Sequence, residues 1–183
     1  MRAFVALELS GQVIDALTSF QGVLSSAGAD IKFVERENFH LNLKFIGEIS
    51  ESQAARVEAR LKSMAAPRAE VNIRGAGAFP SPSRPRVVWA GVSKEHEGLV
   101  APIASEVERL LEGVGERDSR PYRPHVTLGR VRSYHNLKRL EELLRENSDK
   151  EFGQVMFSEV KLKSSQLTPG GPVYTDMGVY PLG

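Results

Sequence analysis

His40 and Asn42 stand two residues apart in "FHLNLKFIG" (39–47), and His125 and Thr127 stand two apart in "YRPHVTLGR" (122–130). Histidine is the one side chain whose ordinary pKa, roughly 6.5, lets it accept or donate a proton near neutral pH. Two histidines on opposite sides of a phosphate can divide an in-line displacement, one activating water while the other protonates the departing oxygen. Neither a metal nor a covalent intermediate is needed. Asn42 and Thr127 each add a hydrogen-bond donor that could hold a non-bridging phosphate oxygen. Which histidine takes which role stays open at this level, because the two stretches are nearly symmetric.

Both stretches read as strands. Side chains in a strand alternate sides, so Leu41, Leu43 and Phe45 are expected to face a core, while His40, Asn42 and Lys44 share an open surface. Lys44 is on that reading a candidate countercharge. Arg130 lies five residues from His125, and strict alternation sends it to the opposite side unless Gly129 introduces a bulge.

The elements that must hold these strands follow from periodicity. A strand at 2–9, a helix at 11–28 with Ser10 as N-cap and Gly28 as stop, the strand at 39–47, a helix at 50–66 and a strand at 69–80 form a first series. A second follows: strand 84–93, helix 96–115, strand 123–131, helix 136–147, strand 152–167. The spacing between matching positions is 84 or 85 residues: Arg2 to Arg86, His40 to His125, Val71 to Val155. An internal duplication, about 1–80 and 84–167 with a closing strand at 172–181, would make the two histidine strands equivalent and let them face each other across a cleft. The proline-rich "AFPSPSRPR" (78–86) reads as an extended surface crossover between the halves.

Composition removes other chemistries. There is no cysteine, hence no thiol nucleophile, disulfide or thiolate ligand. No His-x-His or His-Glu-x-x-His cluster suggests a metal site, and no nucleophile-elbow motif suggests a serine triad. His96 and His135 fall at the starts of predicted helices, as surface or capping residues. No apolar run approaches the roughly 18 residues needed to span a bilayer, and "MRAFVALELS" reads as a strand rather than an export signal, so a cytoplasmic protein is expected. The net charge is only +1, yet five arginines (117, 120, 123, 130, 132) stand against Asp118 between 117 and 132, a window suited to a phosphate-bearing ligand.

The paired tetrads His40-Leu41-Asn42-Leu43 and His125-Val126-Thr127-Leu128, the opening "MRAFVAL" and the late "LTPGGPVY" (167–174) together resemble the two-histidine (2H) phosphoesterases. Within that superfamily they are most similar to the RNA 2',3'-cyclic phosphodiesterases, formerly called 2'-5' RNA ligases. The resemblance covers essentially the whole chain. It implies a bilobal α+β fold with two antiparallel sheets lining a central cleft and helices outside. It also implies hydrolysis of RNA 2',3'-cyclic phosphate ends, such as those of tRNA-like fragments, to 2'-phosphates, with reversible 2'-5' ligation as a related activity. His40 resembles the proton donor and His125 the proton acceptor, with Asn42, Thr127, Arg130 and Lys44 around the phosphate. No cofactor, membrane or obligatory protein partner is implied, and a monomer is expected. One departure is plain: asparagine stands at position 42, where the family carries threonine or serine. Two alternatives remain at this stage: a phosphodiesterase acting on small cyclic nucleotides or ADP-ribose cyclic phosphate, and a non-catalytic RNA- or nucleotide-binding module.

Overall fold

A computed structural model describes residues 1–183. The chain opens with β1 (Arg2–Glu8), whose residues 3–7 are all buried, and turns into α1 (Gly11–Ser25). The Ser10 hydroxyl accepts from the Val13 N–H and caps α1, as expected; Val13, Leu17, Phe20 and Leu24 form its buried stripe. β2 (Ile31–Phe33) and a 3-10 turn (Arg36–Asn38) lead into β3 (His40–Glu48). Next come α2 (Glu51–Leu61), opened by a reciprocal Ser50–Gln53 capping box, and the long β4 (Ala69–Ser81). The second half runs β5 (Arg84–Val92), α3 (Lys94–Leu110), β6 (His125–Val131), α4 (Leu137–Glu146) and β7 (Glu151–Phe157). β8 (Glu159–Thr168) and β9 (Gly171–Pro181) close it as a hairpin.

Every strand pairing is antiparallel. Two four-stranded halves, β9-β8-β1-β3 and β6-β5-β4-β7, are joined where Leu41 of β3 pairs with Val126 of β6; β2 lies beside β6. Leu41 and Val126 are fully buried and point towards the helices. Since neighbours in a strand point to opposite faces, His40, Asn42, His125 and Thr127 must all project from the other, open face. One apolar cluster runs beneath both halves, so the seam is fixed from below.

The structure corrects several expectations. Residues 78–86 are not a crossover but a hairpin: Phe79 pairs with Val87, Pro80 with Pro85 and Ser81 with Arg84. Its prolines sit at the end of the ladder, where a missing N–H costs least. The expected strand 152–167 breaks at Ser158, because β7 pairs with β4 in one lobe and β8 with β1 in the other. The lobes are therefore not the two sequence halves. Val71 and Val155, matched above by spacing, are direct partners across β4 and β7. α3 ends at Leu110, short of the expected 115, and is followed by Gly113 and Gly115 at φ +78° and +69°, conformations that only glycine adopts cheaply. β2, too short to show periodicity, went unforeseen.

Candidate active site

His40 and His125 are held alike. The Nδ1–H of His40 donates to the carbonyl of Asn38 at 2.8 Å, and that of His125 to the carbonyl of Arg123 at 2.7 Å. A carbonyl can only accept, so the proton of each neutral ring is fixed on Nδ1 and the Nε2 lone pair is free. A neutral ring so held is a base at Nε2; a protonated one is an acid at the same atom. The antiparallel pair Leu41–Val126 sets His40 diagonally from His125, with Thr127 opposite His40 and Asn42 opposite His125.

Different walls hold the two rings. Phe4 stacks on His40 with centroids 4.8 Å apart, and Tyr174 meets its edge at 5.6 Å. His125 stands edge-on to Phe79 at 5.0 Å, and Phe79 in turn packs on Trp89 at 5.2 Å. The indole lies across Gly77, where any Cβ would collide with it. Burial lowers the proton affinity of both histidines. For His40 the charges of Lys163 and His125 act in the same direction, while the Asn38 carbonyl and Glu8 oppose them. For His125 the Arg123 carbonyl opposes and Arg130 reinforces.

A bulge decides where Arg130 goes. β5 pairs Val88 with Gly129 but Trp89 with Thr127, leaving Leu128 as the extra residue. Arg130, opposite Val87, returns to the face of Thr127 and His125, and its charge bears on both His125 and Tyr174. The bulge that sequence could only pose as a condition is present. β3 has the same device at Leu43: Val5 pairs with Lys44 and Ala6 with Asn42. Here the effect overturns the expectation for Lys44. Its ammonium passes to the helix side and bonds Glu108 of α3 at 2.9 and 3.0 Å, with its side chain 4% exposed. Phe45, expected in the core, emerges instead on the open face, 50% exposed.

Two contributors, Asn38 and Lys163, escaped the sequence reading. Asn38 is buried, and besides anchoring His40 through its carbonyl it donates its side-chain amide to the Pro172 carbonyl at 2.9 Å. That bond holds the β8–β9 hairpin so that Tyr174 reaches His40. Lys163 sits opposite Phe4 on β8, tied with Lys161 to Glu8 and Asp176 by contacts of 2.6–3.0 Å. The signal for Asn38 was available: it and Arg123 each precede a histidine by two.

Two histidines with free Nε2 atoms thus stand on adjacent strands of one sheet, with Asn42, Thr127 and Arg130 on the same face. The LigT like Phosphoesterase family model matches residues 7–89 and again 91–174. The chain belongs to that family. It is 41% identical to a Methanothermobacter thermautotrophicus protein named RNA 2',3'-cyclic phosphodiesterase, over all of this chain and 99% of that one. An Aeropyrum pernix protein of the same name is 44% identical over 88% of this chain and 92% of its own. A solved Thermus thermophilus structure superposes with a TM-score of 0.75 at 28% identity, covering 99% of this chain and 97% of the other. The LigT-like family thus accounts for both lobes, and its double match straddles the seam that brings His40 and His125 together. No helix is long and apolar enough to cross a membrane.

Proposed function

We infer that this LigT-like phosphoesterase hydrolyses 2',3'-cyclic phosphate ends of RNA to 2'-phosphates by two-histidine acid–base catalysis without a metal. The observation that carries this reading is the matched anchoring of His40 and His125 through Nδ1, which leaves two Nε2 atoms free on one open face. His125 in its neutral form takes a proton from water as the water oxygen attacks phosphorus. The bond from phosphorus to O3' breaks, and His40 in its protonated form delivers its Nε2 proton to O3'. The products are a 2'-phosphate and a free 3'-hydroxyl. Thr127, Asn42 and Arg130 hold the non-bridging oxygens as charge gathers on them. With a 5'-hydroxyl of RNA in place of water, the same displacement gives a 2'-5' linkage.

The test is incubation with an RNA ending in a 2',3'-cyclic phosphate, in EDTA, followed by identification of the new terminus. A 2'-phosphate is expected. A 3'-phosphate would reverse the leaving group assigned to His40, and restoration of lost turnover by added zinc would replace the acid–base reading with a metal one.

A further inference from the structure

The open face around His40 and His125 has two ends, and they are built differently. Beyond Thr127 lies Arg130, and there the preceding segment of β3, residues 31–39, closes the space: Lys32 pairs with Glu35, Arg36 with Asp15, and the β8–β9 hairpin is bonded to Asn38 with Gly171 beside Glu35. Beyond Asn42 lies Phe45, half exposed, with the Arg2 guanidinium 5.4 Å from its ring centroid. The segment beside this end is 116–124. The Tyr122 hydroxyl donates to the Asn42 carbonyl at 3.0 Å, and Lys44 donates to the Glu116 carbonyl, so the segment is fastened along β3. It exposes Arg117, Arg120 and Arg123; Asp118 occupies Arg120 alone, and Arg117 and Arg123 have no acidic partner.

We propose that the RNA strand 5' to the reacting terminus leaves the site over Phe45 and along Arg117 and Arg123. This deepens the function proposed above and rests on it. The chemistry is that of single-strand binding: a flat ring on which a base can stack, followed by unpaired cations that meet successive phosphates. At the other end Arg130 is the one unpaired cation and is taken up by the reacting phosphate in the reading above, while Lys32 and Arg36 are paired and the β8–β9 hairpin is bonded to Asn38.

The experiment compares kcat/KM for a cyclic mononucleotide with that for an oligoribonucleotide ending in the same cyclic phosphate, in wild type and in R117A/R123A. Both substrates share the chemical step, so their ratio isolates contacts made by the rest of the strand. The ratio should fall about tenfold in the double variant, and the salt dependence of log KM for the oligonucleotide should flatten by about 1.4, at roughly 0.7 per phosphate on single strands. F45A should lower the ratio without changing the salt slope. An unchanged ratio and slope in R117A/R123A would overturn the proposal. If wild type turns over neither substrate, the proposed function fails; salt-dependent anisotropy of a labelled RNA ending in a 2'-phosphate then still decides the surface. Weaker binding by R117A/R123A supports it, and equal binding refutes it.

Discussion

The two half-sites are built on one plan and finished differently. Matching positions 85 residues apart give His40 and His125 the same carbonyl anchor and give both strands a bulge three residues on. Two residues beyond each bulge the plan diverges: Phe45 emerges in one lobe and Arg130 in the other. The anchors differ too, since Asn38 is buried and tied to a hairpin while Arg123 is exposed. Shared geometry supplies two histidines held alike through Nδ1; unshared side chains give the two ends of the site different surroundings.

The largest effects should come from what the halves share. His40→Ala and His125→Ala are each expected to lose about 10²- to 10⁴-fold in kcat with little change in Tm, because a positioned proton-transfer group is worth that much and neither ring belongs to the core. Near-normal turnover in either variant would break the equivalence of the two lobes.

Next come the two bulges. Arg130→Met should cost about 10²-fold in kcat/KM, through loss of a cation facing developing charge. Lys44→Met should leave turnover roughly intact and cost about 1 kcal/mol of stability, since the methionine keeps the buried stem packed and half-exposed Glu108 returns to water. If both variants damaged turnover equally, Lys44 would belong to the site despite its place under the sheet.

The two histidines should also titrate apart. Both are lowered by burial, so both limbs of the kcat/KM profile in the free enzyme should lie below the ordinary value of about 6.5, with activity falling as pH rises past the upper one. Lys163→Met removes a positive charge beside His40 and leaves Glu8, which favours the imidazolium. The His40 limb should therefore move to higher pH, while the ring resonance of His125, followed by NMR, stays in place. Movement of His125 alone would reverse the assignment of Lys163 to the first lobe.

The smallest effect is expected at Asn42. Asn42→Thr restores the hydroxyl found in the second tetrad, and because asparagine already offers a donor, kcat should change by less than about tenfold. A far larger gain would mean that the amide impairs the native site.

The placing of His40 and His125 on one face was legible in the sequence because strand alternation and the repeated His-x-polar spacing are local properties of the chain. The start of α1 was legible for the same reason: Ser10 acts through a hydrogen bond within one turn. What escaped depends on partners distant in sequence. A bulge is a mismatch between two strands, so the positions of Lys44, Phe45 and Arg130 are decided by β1 and β5 rather than by their own strands. The assignment of β4 to the second lobe, and of β8 to the first, depends on which sheet edge stood open to receive them. Asn38 gains its second role only because the fold brings the Pro172 carbonyl of the β8–β9 hairpin within hydrogen-bond reach. The sequence by itself determined the two histidines of the candidate site and their spacing. Tertiary structure alone decided which charges face them, since a side chain's direction beyond a bulge is set by register with another strand.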